Sequence, residues 1–185
     1  GANFTFAKYS SKLPALLAGE MPNIFSDVYA GGALMDLGVY CLYLAIGFFG
    51  EPISSRYTAQ QLPNSVDLYG QGVLIYPDFQ VAIQAGKNIT SHLPAEIYTK
   101  TGTLTLNAVA AINQARFISH SGEVIDLPIQ PCPHQMQEEA EAFALAIAHQ
   151  KPAAYLEWLQ TAEQVHETLY QMRQSAGIQF KDEKE

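Results

Sequence analysis

The run Gly31-Gly32-Ala33-Leu34-Met35-Asp36-Leu37-Gly38-Val39-Tyr40 decides how the rest of the chain is read. Two adjacent glycines open it, and apolar residues continue to Phe49, where Gly50 and Pro52 stop the run. That punctuation predicts a helix over residues 31–49, since glycine readily closes a helix and proline cannot continue one. Apolar residues on most sides predict that the helix is buried. Asp36 is then the residue out of place. A carboxylate among Leu34, Met35, Leu37 and Val39 must find hydrogen-bond partners or resist ionisation. Asp36 and Tyr40 are four apart and share a helix face, with Tyr43 further along it. Gly31 and Gly32 let another group approach the helix start closely. On spacing alone there are two readings. Asp36 is satisfied by local backbone donors beside a core tyrosine, or a carboxylate and a phenol are presented together to a pocket.

Outward from this run the period changes. Residues 2–8 alternate around Phe4 and Phe6 and read as a strand. Residues 9–30, with Pro14, Gly19 and Pro22, read as a long irregular loop, which in a compact domain is usually functional. Downstream, Phe79, Val81, Ile83 and Ala85 alternate with Gln80, Ala82 and Gln84, and Pro77-Asp78 joins this strand to residues 66–76 as a hairpin. Residues 96–99 and 103–106 flank Lys100-Thr101-Gly102, and residues 116–119 and 124–127 flank His120-Ser121-Gly122-Glu123, giving two more hairpins. Residues 53–58 add a strand after the helix. Met136, Ala140, Phe143 and Ile147 form one helical stripe, on a helix beginning near Gln135, and Ala162, Val165, Leu169 and Met172 form a second, closed by Gly177. Strands in a run bracketed by helices predict an α+β class: one open, mainly antiparallel mixed sheet of about six strands with helices on one face.

The chain has 185 residues, of which 48% are hydrophobic and 15% charged, the balance of one folded domain rather than a disordered segment. Its formal net charge of -8 and scattered basic residues exclude a nucleic-acid partner, because phosphate neutralisation needs clustered Lys and Arg. The longest apolar run, residues 37–49, has 13 residues, against about 20 for a bilayer span. No membrane partner and no signal peptide are expected. Cys41 and Cys132 lack CxxC spacing, which makes a reducing cytoplasm the expected location. The five histidines show no HxxxH or HExxH spacing, so no metal site is expected.

Residues 31–40, followed by Phe48-Phe49-Gly50-Glu51-Pro52, resemble the hallmark of the glucose–fructose oxidoreductase, inositol dehydrogenase and dihydrodiol dehydrogenase (Gfo/Idh/MocA) superfamily. The likeness runs through the whole chain, from the opening strand at residues 4–8 to the helix at 138–147 and Ser175-Ala176-Gly177-Ile178. The resemblance implies that residues 31–40 line an active site in the C-terminal domain of a two-domain enzyme. The other domain is a Rossmann unit carrying a GxGxxG turn and a catalytic lysine in a Glu-Lys-Pro motif. Neither motif occurs here, so residues 1–185 are expected to be a single substrate-binding and oligomerisation domain, inactive by itself, with the Rossmann half absent. NAD or NADP is expected as cofactor, bound mainly by that other domain.

The expected activity is that of an NAD(P)-dependent oxidoreductase acting on secondary alcohols of a sugar, polyol or dihydrodiol. By the same resemblance Asp36 matches the motif's aspartate. Tyr40 occupies a position that is often histidine and is tyrosine in the glucose–fructose oxidoreductase and dihydrodiol dehydrogenase branches, the second of which the chain resembles most. Tyr40 would be the acid–base group, and Asp36 would orient it or hold a second hydroxyl. A free tyrosine titrates at about 10, so work at neutral pH needs a nearby cation. The lysine of the other domain or the nicotinamide would supply it. Gly31 and Gly32 would lie near the cofactor. Phe6 and Lys8 match the strand edging the substrate pocket, although Phe6 reads equally well as core. His134 falls close to where relatives place pocket residues. Tyr9 and Lys12 are candidates by position on the loop. The open sheet face often forms the dimer in this family, so a homodimer or higher oligomer is expected. The alternative function is a non-catalytic ligand-binding or oligomerisation module, which apolar residues on the solvent side of residues 66–106 would favour.

Overall fold

In the computed structural model, which describes residues 1–130, 132, 134, 136–149 and 152–183, the opening alternating segment is the hub of the sheet. Strand β1 (Ala2–Ala7) pairs in parallel with β4 (Gln80–Gly86) and antiparallel with β5 (Ala95–Tyr98). The remaining strands are β2 (Ser54–Gln61), β3 (Asp67–Ile75), β6 (Gly102–Leu106), β7 (Ala115–Ser119) and β8 (Val124–Leu127). They form one eight-stranded sheet in the order β2-β3-β4-β1-β5-β6-β7-β8. The sheet is mixed and mainly antiparallel as expected, with eight strands instead of about six. Every hairpin arm joins a single ladder, which leaves two free edges rather than several.

One face of the sheet carries the core. Phe4 and Phe6 lie beside Ile83 and Ala85 in the parallel register, and helices α2 (Val39–Phe49) and α4 (Pro152–Ala176) cover that side. From α2 the residues Cys41, Leu42, Ala45 and Ile46 are buried, each larger aliphatic side chain contributing about 1.5–3 kcal/mol. The expectation of a buried helix, apolar on most sides, is corrected on one side, where Tyr40, Tyr43 and Phe48 are exposed. By length and composition Asp27–Phe49 could cross a membrane, but its buried residues close the core over the sheet as those of a core helix do. From α4 the predicted stripe Val165, Leu169 and Met172 is buried. Gly177, at φ 69°, ends the helix, with the Ile178 N–H donating to the Arg173 carbonyl at 3.0 Å.

The start of the helical run differs from a plain α-helix. Leu34–Gly38 forms a single π turn that continues into α2. The first N–H groups of a helix lack partners inside it, and here the Asp67 carboxylate of β3 accepts the Leu34 N–H at 2.8 Å. The same oxygen accepts the Tyr57 hydroxyl at 2.9 Å. The double glycine is demanded by this turn. A Cβ on Gly31 would sit 2.6 Å from the Ile24 backbone, and Gly32, at φ 126°, is pressed against the Asp67 carboxylate.

Residues 9–30 are less irregular than expected, since they hold the short helix α1 (Leu13–Leu17) and two 3-10 turns, Asn23–Phe25 and Asp27–Tyr29. Helix α3 (Gln137–Ala148) is present; its expected start near Gln135 lies outside the described residues. Its predicted stripe is exposed at Met136, Phe143 and Ile147, as are Leu145, Tyr155, Leu156, Trp158 and Leu159 around it. Periodicity identified the helix correctly, but its apolar face is not turned into this domain's core.

Candidate active site

Three segments converge where β1 and β4 end. The parallel ladder continues past Ala7 and Gly86, with the Lys8 N–H donating to the Gly86 carbonyl at 2.9 Å and the Ser10 N–H to the Lys87 carbonyl at 2.8 Å. This sets Lys8 and Lys87 side by side below the π turn that carries Asp36. Lys87 is 3% exposed, and its ammonium donates to Asp36 Oδ2 as an ion pair, whereas the Asp36 side chain is 54% exposed. The Lys87 Nζ also lies 5.9 Å from the centre of the buried Phe25 ring. Asp36 is therefore not satisfied by local backbone, and its partner comes from the far end of the next-but-two strand.

Tyr40 stands in the first turn of α2, and its ring meets Phe6 edge-on with centroids 5.4 Å apart. A cavity of about 440 Å³ brings together Phe6, Lys8, Tyr9, Asp36, Tyr40 and Lys87. One aspartate and two lysines leave it with an excess of one formal positive charge, and its walls include two phenols. Asp36 also borders a second cavity of about 260 Å³, lined with Gly31, Met35, Asn23 and Tyr29. A third, of about 410 Å³, lies on the other side of Phe6 and Lys8, where His92 and Asn107 line it.

The structure thus brings Asp36, Tyr40, Phe6 and Lys8 into one place, with Tyr9 beside them. Gly31 borders the neighbouring cavity. Gly32 is buried and turned to Asp67, and Lys12 lines a separate cavity with Glu20 and Asn23. His134 is exposed, accepts the Met136 N–H through Nδ1 at 3.2 Å, and lines neither cavity that Asp36 lines. Two residues escaped the sequence reading, Lys87 and Asp67. A lysine directly after an alternating strand was the only signal for the first. The second sat unremarked inside a strand, though burial pushes its carboxyl above the usual range against the opposing pull of the Leu34 N–H and the Tyr57 hydroxyl.

The arrangement can hold a small polyhydroxylated ligand. A phenylalanine ring offers an apolar wall, a carboxylate and phenols offer hydrogen bonds to hydroxyls, and the cationic surplus favours developing negative charge on oxygen. No dinucleotide-binding turn is part of the chain, and the described residues supply no phosphate-cradling glycine loop.

Known proteins resemble the chain in family and in fold. The family described as GFO/IDH/MocA C-terminal domain matches residues 5–105. Uncharacterized oxidoreductase YgjR of Escherichia coli (strain K12) is 35% identical over 144 residues, covering 78% of this chain and 44% of that protein. The scyllo-inositol 2-dehydrogenase (NADP(+)) IolU of Bacillus subtilis (strain 168) is 31% identical over 147 residues, covering 80% of this chain and 45% of that protein. The chain spans less than half the length of these curated relatives. Among solved structures, KijD10, a 3-ketoreductase from Actinomadura kijaniata in complex with TDP-benzene and NADP, shares the fold. Its TM-score is 0.69 at 18% identity, covering 95% of this chain and 52% of that one.

Proposed function

Because the chain belongs to the GFO/IDH/MocA family of oxidoreductase C-terminal domains, we propose that it is the substrate-binding, acid–base half of an NAD(P)-dependent oxidoreductase acting on a secondary alcohol of a sugar, cyclic polyol or dihydrodiol. The observation that carries this reading is the convergence of Asp36, Tyr40, Phe6 and Lys8 on one cavity. When bound, the nicotinamide accepts or returns the hydride. The chain's own residues do the rest. Tyr40, entering the step as its phenolate, takes the proton of the reacting hydroxyl, Asp36 accepts a hydrogen bond from a neighbouring hydroxyl, Phe6 lies under the apolar ring face, and Lys8 adds positive charge where oxygen becomes anionic. An NADP-linked cyclic polyol dehydrogenase among the relatives supports that substrate class.

The cofactor's phosphates and the family's lysine belong, on this reading, to a further domain, so the 185-residue chain alone does not turn over. Titrating it with NADP should give no saturable signal, and clear micromolar binding would contradict the division of labour. Localisation in the cytoplasm is proposed with the enzyme reading. The decisive experiment is Tyr40→Phe in the full-length protein, followed by formation of reduced nicotinamide. Loss of an acid–base group costs about 100- to 10,000-fold, and near-normal turnover would refute the assignment.

A second role is favoured by the uncovered sheet face, which the register assigns to Thr5, Gln71, Val73, Ile75, Ala82 and Gln84 at its middle. Val73, Ile75 and Ala82 supply apolar surface there, with Arg56 of β2 standing opposite Val73 on the same face. The face is proposed to pair with a second copy, making the protein a homodimer or higher oligomer. Arginine at Val73 should dissociate it, as read by light scattering; an unchanged mass would remove the proposal.

A further inference from the structure

The ion pair between Lys87 and Asp36 is asymmetric, and the asymmetry is informative. The ammonium is hidden and the carboxylate faces the cavity, with side-chain exposures of 3% and 54%. Burying an ammonium is costly, and an apolar side chain of similar volume at such a site is commonly as stable or more stable. Stability is therefore a poor reason for a lysine at this position. The lysine is also held more firmly than a strand-end residue needs. Its N–H donates to the Leu68 carbonyl at 2.7 Å, its carbonyl accepts the Ser10 N–H at 2.8 Å, and the Phe25 ring flanks its Nζ. Asp36, by contrast, stands on a π turn, where among the described residues no side chain of its own helix holds its carboxylate.

We infer that Lys87 is the positioning residue of this site: it fixes the Asp36 carboxylate in one orientation, so that the exposed side of the carboxylate meets a hydroxyl of the ligand in the shared cavity. Lys87 does not touch the reacting atoms; it acts through Asp36. Its geometry suits that task. Leu68 of β3 on one side and Ser10, just beyond β1, on the other anchor its backbone, and the partner it holds lies 51 residues away in sequence. The inference rests on the oxidoreductase reading for its catalytic consequence, but not for its structural one.

The test has two arms, both on the full-length protein. In the first, crystal structures of the unaltered protein and Lys87→Met are compared at Asp36. A single rotamer directed at position 87 is expected in the unaltered protein, and a rotated or divided side chain in the variant. The same rotamer in both would overturn the inference whatever the protein's activity. In the second, scyllo-inositol and myo-inositol are supplied with NADP, and Lys87→Met, Lys87→Arg, Asp36→Asn and the double variant are compared. Losing a charge-assisted hydrogen bond predicts about a 10- to 100-fold fall in kcat/KM for the polyol. The KM for NADP should stay within about twofold, and Lys87→Arg should recover much of the loss. In the Asp36→Asn background Lys87→Met should cost nothing more. Full activity of Lys87→Met, or losses that multiply in the double variant, would overturn the inference. If Lys87→Met does not fold, Lys87→Gln replaces it in both arms under the same criteria. Absence of turnover in the unaltered protein would count against the function proposed for the site, while the rotamer comparison still decides the role of Lys87.

Discussion

Replacing Asp67 by alanine should destabilise the domain through the start of the helix that carries Asp36. A single oxygen of Asp67 accepts both the Leu34 N–H at 2.8 Å and the Tyr57 hydroxyl at 2.9 Å, and all three residues are buried. Truncation leaves two buried donors without an acceptor, at about 1–3 kcal/mol each. Relief from burying a carboxyl offsets part of that cost, so a net loss of about 3 kcal/mol is expected. For a domain of this size each kcal/mol moves the melting temperature by roughly 2–4 °C, which puts the fall at about 6–12 °C. Thermal unfolding followed by far-ultraviolet circular dichroism measures it directly. Asp67→Asn keeps an acceptor oxygen and should lose less than half as much. A melting temperature for Asp67→Ala within about 2 °C of the unaltered protein would refute the capping role.

The same residue gives a pH dependence with a definite sign. Burial raises the folded-state pKa of Asp67 above its unfolded value. Its contribution is therefore complete below the ordinary carboxylate range of about 4, and is lost as pH rises through the raised folded value. Urea midpoints of the unaltered protein, referred to Asp67→Asn, should accordingly fall as pH rises above the ordinary carboxylate range of about 4. A difference independent of pH above that range would show that the carboxyl is not perturbed in the folded state.

Two further outcomes follow from the same region. Gly32→Ala places a Cβ at φ 126° against the Asp67 carboxylate, and the strained backbone alone costs about 1–3 kcal/mol; a chemical-denaturation midpoint equal to that of the unaltered protein would contradict the geometry. Tyr57→Phe removes one of the two donors to Asp67 and should cost less than Asp67→Ala in the same assay. The reverse order would place the main support of the helix start elsewhere.

The parts of this molecule that sequence made legible are those with a local period. The strand alternation at residues 79–85 and the 162–172 helical stripe both report burial against a continuous neighbour, and both are found as read. The four-residue spacing of Asp36 and Tyr40 likewise placed them on one cavity. Partnerships across the fold leave no such trace. Local spacing allowed Asp36 to be a carboxylate satisfied by backbone beside a core tyrosine, and that arrangement exists, but at Asp67 with Tyr57. Asp36 instead meets Lys87, from another element altogether. The α3 stripe was legible as a helix, but amphipathic periodicity carries no information about which surface the apolar side is meant for.

The π turn at Leu34–Gly38 has a consequence for how this site could change over evolutionary time. A π turn amounts to one residue more than a regular helix would use over the same rise. Removing one residue between Leu34 and Gly38 would let the helix run on unbroken, with the apolar grip of Cys41, Leu42, Ala45 and Ile46 on the sheet intact. The segments on either side of the deletion would keep nearly the same phase, because a π turn absorbs its extra residue within itself. Asp36, which stands inside the turn, would be the side chain re-aimed, while Tyr40 beyond it would keep its place. Loss or gain of one codon would thus re-aim the carboxylate without disturbing the scaffold that supports it.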